Sequence, residues 1–447
     1  INNWFVENQN SRLNRSQIEW YPYNVSERIS NYVLLCEFKI LKKNNIFLNY
    51  LINQMFFLTK NIEFYKDKIS NHSLNNARAI FLLSTYTNNK IFQSFSIKLI
   101  IYLCSKFIDK DGFFKFGSSH YQFVFTKWLH EIFYFGKKYK VKKIDSIGKY
   151  LLNAQNACDF FLQTKDMNKI TYPLFGNISP DFTPEFLVNY NKNFINTKYF
   201  RSLKKKKNYK IIKNNEWIKL NNKSQSVYFR NPMINGFDFN HAHADFFHFV
   251  NFYRGNQIFI DTGRKDYLIE NKKYLYSKFH NSIILNEKGF FEEFINKNFF
   301  TKTGILSVNK NQYNVTKLNN KIIFKINSNP EFYVKRSFEL NSTSLKIINS
   351  FKIKNENVKI LMPLYIDNQV TVSKINEKKY LLSSKFFKSI LNISDKNKLS
   401  KIELFKNKKT SGVGQCRKYG KDEPLNFLKL YCLGKKEFQI TINLRFI

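Results

Sequence analysis

Between residues 25 and 165 apolar side chains recur three and four positions apart, as in Ile29, Val33, Cys36 and Ile40, and again in Leu99, Leu103 and Phe107. That spacing places them on one stripe of an α-helix, and the periodic segments are roughly ten to twenty residues long. Several successive helices are therefore predicted, paired in a ring or bundle. Helix starts are predicted at Ser26 ahead of Glu27 and at Asp145 ahead of Ser146, because their side-chain oxygens can accept from free backbone N–H groups. Past Lys210 the period becomes two. Residues 322–326, 345–353, 358–365 and 438–446 are short alternating runs bounded by Asn, Lys and Gly. That pattern predicts antiparallel sheet with one buried face, arranged as two stacked sheets.

Residues 201–210 separate the two patterns; they lack apolar periodicity and include consecutive lysines from Lys204 to Lys207. The expected division is a helical domain over 1–200 and a β domain over 211–447, a size suited to two ordinary cores. The lysine run reads as a solvated linker or as a patch that steers polyanions. No fixed-period repeat interrupts this order.

Charge narrows the partners. Lys and Arg total 73 against 33 Asp and Glu, a formal net charge of +40, which attracts polyanions at long range. Nucleic acid, an anionic membrane and an acidic polysaccharide all fit, although abundant Lys, Asn, Ile, Phe and Tyr are also what an AT-rich genome imposes. Nucleic acid ranks last, since the basic residues are dispersed and no helix-turn-helix, zinc-finger or RNA-binding signature is present. A membrane span needs about 18–20 uninterrupted apolar residues, and even the 46–58 run contains Asn49, Asn53 and Gln54. Five widely spaced cysteines with no C-x-x-C pair argue against a disulfide framework or a Cys-based zinc site; they read as buried small apolar residues. The chain begins at Ile1, which leaves room for an upstream leader, and the expected location is the periplasm or cell envelope, with the cytoplasm as the alternative.

Of seven histidines, four (His241, His243, His248 and His280) fall within forty residues at the start of the β half. On a strand, His241, His243 and Asp245 would project from one face, a donor set suited to zinc. A hairpin over 249–260, turning at Arg254-Gly255-Asn256, would return Asp261 to the neighbourhood of His243, and His280 offers a further ligand. Taken singly, each histidine reads better as a hydrogen-bonded core residue; it is the clustering that turns the preference towards a site.

The run His241-Ala242-His243-Ala244-Asp245, then Phe252-Tyr253-Arg254-Gly255, Asp261-Thr262-Gly263, Tyr267 and His280-Asn281 resembles the central block of heparinase II/III-type polysaccharide lyases in order and spacing. The segment from Asp111-Gly112 to Ser118-Ser119-His120-Tyr121 resembles the family's stretch ending in a catalytic tyrosine. Asn71-His72 resembles its Asn-His pair that meets the substrate carboxylate, and Trp20-Tyr21-Pro22-Tyr23 with Arg28-Ile29 resembles a usual N-terminal feature. Phe116, Gln122, His248 and Thr262 depart from the residues common there, an acidic residue, His, Ser and Pro respectively.

The resemblance implies an N-terminal (α/α) toroid of paired helices followed by an antiparallel β-sandwich. It implies zinc held by His243, Asp261 and His280 in a structural role, and catalytic groups Tyr121, His241, Asn71, His72 and, more weakly, Tyr267. Without it, a tyrosine or an Asn-His pair at a helix end reads as a packing or capping group. The implied reaction is β-elimination on a uronic acid, in which a base removes the proton next to the carboxylate while preorganised donors stabilise the developing enolate. A uronyl C5-epimerase on the same scaffold and a non-catalytic polyanion-binding protein are the alternatives.

Overall fold

The computed structural model describes residues 18–65, 68–164, 170–201, 203, 216–231, 241–290, 313–328, 332–354, 358–395, 401–434 and 436–447. The lysine-rich stretch 204–210, with most of the expected domain boundary, lies outside them. The chain divides into two compact units, one comprising residues 1–115, 124–158 and 189–209, the other 116–123, 159–188 and 210–447. Segments 116–123 and 159–188, on the helical side of a boundary at 201–210, thus group with the β-rich unit.

In the helical unit, Pro22–Glu37, Asn45–Lys60, His72–Tyr86 and Lys90–Phe107 are successive α-helices, and neighbours in sequence pack against each other. The first begins at Pro22 and not at Ser26: proline's fixed φ suits the first helical position, and the Ser26 hydroxyl instead donates to Pro22 O one turn back, at 2.7 Å. Likewise the helix Ile144–Phe161 already contains Asp145 in its first turn. The helix His72–Tyr86 is buried on every face from Ser73 to Thr85. A fully enclosed helix must neutralise its polar groups internally. Arg78 does so with Glu27 at 2.9 Å and Glu131 at 2.5 Å, while Lys127 and the Tyr190 hydroxyl, each at 2.7 Å, complete the coordination of Glu131.

In the β-rich unit an eight-stranded antiparallel sheet runs, edge to edge, Tyr313–Leu318, Lys321–Ser328, Phe332–Leu340, Ser344–Ile353, Glu437–Phe446, Lys388–Asp395, Lys379–Ser383 and Thr371–Asn376. Its alternation is the expected one: in Glu437–Phe446 every second residue from Phe438 is buried. A five-stranded sheet centred on Lys359–Ile366 and Leu425–Leu433 and a four-stranded sheet from Trp217 to Gln257 share one apolar core with it. The stacked-sheet expectation therefore holds with a third sheet added. All five cysteines are free and buried. Among the described residues no helix is long and apolar enough to cross a membrane.

Candidate functional site

The expected hairpin is present. Val250–Tyr253 pairs with Asn256–Gln257 across Arg254 and Gly255, both at positive φ (46° and 72°), the backbone of a type I′ turn. Residues 241–245 are not a strand, however. Their backbone groups bond to loops: Asn177 N donates to His241 O at 2.8 Å and Ala244 N to Leu275 O at 2.9 Å. The alternation argument consequently fails, and the three polar side chains diverge. Asp245 leaves the histidines to pair with Arg230, at 2.5 Å, because that guanidinium is itself buried and needs a carboxylate.

His241 meets the tyrosine. Tyr121, in the first turn of the helix Ser119–Lys138, lays its ring flat on the His241 imidazole, with centroids 3.6 Å apart and planes 9° apart. The Tyr121 hydroxyl lies 2.9 Å from that of Tyr267. Both Tyr121 and His241 are 7% exposed. Gly176, at φ 74°, lies so close behind His241 that a Cβ there would sit 2.4 Å from His241 O. Phe116 meets the imidazole edge-on at 6.3 Å, where an acidic residue is common in the resembled family.

Three groups around this cluster escaped the sequence reading. The buried Arg264 guanidinium lies 4.7 Å from the Tyr267 ring centroid, and the Tyr419 hydroxyl accepts from Tyr267 N at 3.0 Å. Burial of its hydroxyl pushes the Tyr267 phenol up to about 12, against the opposing pull of the Tyr121 hydrogen bond and of Arg264. Arg264 immediately follows the Asp261-Thr262-Gly263 motif, and that adjacency was the available signal. Asn177, the third, had none: its Oδ1 lies 3.0 Å from His243 Nε2, 66 positions away in the chain.

His243, Asp261 and His280 are fully enclosed, and one donor atom from each lies within 4.8 Å of the others. His243 Nδ1, Asp261 Oδ2 and both His280 ring nitrogens are buried without a hydrogen-bond partner. Unsatisfied buried polar atoms are costly, and here they converge as two imidazoles and a carboxylate, a donor set that suits zinc. Burial holds the His243 imidazole well below the ordinary histidine range, so it is the neutral, ligating form. Burial alone would raise the Asp261 carboxyl, but the His280 and His248 imidazoles beside it, at 3.3 and 3.4 Å, outweigh that and hold it well below the usual carboxylate range. Beside Asp261 opens a cavity of about 550 Å³ lined by Tyr172, Asp367, Phe386, Phe387 and Arg417.

Asn71 and His72 lie in the helical unit. Asn71 stands immediately before the helix His72–Tyr86 and is buried, whereas the His72 side chain is 40% exposed. The His72 ring is fixed by Glu63, whose Oε1 is 3.0 Å from Nδ1, and by Tyr23 at a centroid distance of 4.8 Å.

No protein-family profile matches the chain, and no curated protein sequence does. Solved structures define its class: the chain has the fold of heparinase-type polysaccharide lyases, an (α/α) toroid followed by an antiparallel β-sandwich. A crystal structure of heparinase III matches with TM-score 0.73 at 14% identity, covering 100% of this chain and 72% of that one. The heparan sulfate lyase HepC from Pedobacter heparinus matches with TM-score 0.63 at 14% identity, over 100% of this chain and 71% of its own. A second heparinase III matches with TM-score 0.68 at 13% identity, over 97% of this chain and 69% of its own. At such identities the likeness is one of fold.

Proposed function

We propose that this chain is a polysaccharide lyase that cleaves a uronic-acid-containing polymer by β-elimination, working at the periplasm or cell envelope. The observation that carries the reading is the Tyr121 phenol, stacked on His241 and hydrogen-bonded to Tyr267, in a chain with a polysaccharide-lyase fold. A phenol is a base only when something stabilises its anion; the Tyr267 hydroxyl and the Arg264 cation supply that stabilisation. Tyr121 as phenolate takes the C5 proton. The C–H electron pair becomes the C4–C5 double bond, the C4–O4 bond breaks, and the departing oxygen is protonated by Tyr121 or His241. His241 serves as the base where the C5 configuration is opposite. Asn71 and His72 are assigned to the substrate carboxylate, as donors to the charge that builds on its oxygens.

Zinc on His243, Asp261 and His280 would act by holding the 241–248 loop and the Asp261 segment together, a structural role. The net charge of +40 draws an acidic polymer to the protein.

The test is a screen of uronate polymers (heparan-type, alginate and bacterial capsule or O-antigen uronates) for the ultraviolet absorbance of a 4,5-unsaturated sugar, with wild type, Tyr121→Phe and His241→Ala. Unsaturated product from the wild type and near-total loss in Tyr121→Phe are expected. Exchange of C5 hydrogen with solvent and no absorbance would assign an epimerase. Binding without either reaction would assign a polyanion-binding protein.

A further inference from the structure

His248 occupies the position where serine is usual in the resembled family, and it is fully enclosed beside the metal-ligand set. Its Nδ1 accepts the backbone N–H of Asn281 at 2.9 Å. A neutral imidazole carries a single N–H, so that bond leaves the proton on Nε2, and Nε2 lies 3.4 Å from Asp261 Oδ2. A protonated ring nitrogen has no lone pair to offer a cation; His248 is therefore not a fourth ligand. The ring cannot easily turn away, being packed edge to face against Phe175 at 5.2 Å and His280 at 5.4 Å. The other carboxylate oxygen, Asp261 Oδ1, accepts Gly263 N at 2.7 Å.

We propose that His248 is a positioning residue for the metal centre, whose Nε2–H, held 3.4 Å from Asp261 Oδ2, steers that carboxylate into one rotamer ahead of cation binding. With Gly263 bonded to one oxygen and the His248 N–H facing the other, Asp261 is oriented from both ends, and outer partners of this kind typically change metal affinity about 10–100-fold. The inference rests on the metal reading of His243, Asp261 and His280.

Two half-mimics of histidine separate this role from mere packing. Glutamine reaches as far as Nε2 and presents an N–H there; asparagine reproduces only the Nδ1 end that accepts from Asn281. The full chain is stripped with a chelator and titrated with Zn²⁺ alone against a chromophoric competitor, and bound metal is counted by mass spectrometry; circular dichroism checks folding. One zinc per wild-type chain is expected, with His248→Gln close to wild type and His248→Asn weakened about 10–100-fold. His248→Ser, the smallest change, should follow the asparagine variant and serves if that one misfolds. Equal affinity in all variants, or loss in His248→Gln with retention in His248→Asn, would overturn the proposal. No zinc bound by the wild type would overturn the metal reading itself and this inference with it, and would leave the Tyr121 assay untouched.

Discussion

Replacing Tyr267 by Phe deletes one hydroxyl and leaves the ring beneath Arg264. The Tyr267 phenol is pushed up to about 12, so it keeps its proton and, once Tyr121 is ionised, is the hydroxyl that must donate across their 2.9 Å contact. A hydrogen bond to a charged acceptor is worth about 1.5–3 kcal/mol, and one pKa unit corresponds to about 1.4 kcal/mol. Removing the donor destabilises the Tyr121 phenolate and raises the pH at which it forms by roughly one to two units. In the proposed reaction the rising limb of the rate against pH should move to higher pH by that amount. Near neutrality the variant would then be about 10–100-fold slower, with the deficit closing under alkaline conditions. The measurement is initial rate of unsaturated-product absorbance from a cleaved uronate polymer across pH, for Tyr267→Phe and wild type. A limb that stays in place, or a loss equal at every pH, would refute the assignment of Tyr267 as donor to the base.

Two further outcomes concern the scaffold. Glu131→Gln strips the countercharge from the buried Lys127 and leaves the buried Arg78 only Glu27; an uncompensated buried charge costs about 3–5 kcal/mol, and a loss below about 1 kcal/mol in denaturant unfolding would contradict the network's role. Burial pushes the His130 imidazole down to about 4, against the opposing Gln155 contact at 3.1 Å and the Glu131 charge, so the unfolded chain takes up the proton first. The contribution of about 3 kcal/mol is present above the ordinary value near ~6.5 and is lost as pH falls towards 4. His130→Gln should therefore show a flatter decline of melting temperature between neutral and mildly acid pH, and an unchanged slope would count against it.

The residues that could be read from sequence are those whose signal is local. The period-two runs became the long strands, with 345–353 and 438–446 within a residue of Ser344–Ile353 and Glu437–Phe446, because an alternating strand buried on one face admits only one register. Helix starts were misplaced where two local signals competed: Pro22 outweighed Ser26, since a ring with its φ already set loses nothing on joining a helix. The histidine cluster was visible as a cluster, but its geometry was not. Alternation on a strand presumes ladder hydrogen bonds, and residues 241–245 spend theirs on Asn177 and Leu275, partners far away in the chain. For the same reason alternation grouped Asp245 with the histidines, whereas its carboxylate pairs with Arg230.

Asn177 shows why these distant partners matter to the chemistry. Its N–H donates to His241 O at 2.8 Å, and its Oδ1 lies 3.0 Å from His243 Nε2. An amide oxygen only accepts, so the second contact places the His243 proton on Nε2 and leaves Nδ1 bare; Nδ1 is buried and unpartnered, in a ring 5.1 Å from that of His280. One asparagine thus sets the tautomer of His243, a member of the proposed metal site, and anchors the main chain of the histidine stacked on Tyr121, two residues away. The proposed metal site and the Tyr121 cluster thus share one supporting residue, and the His241 backbone is held by Gly176 and Asn177 from outside the motif that contains it.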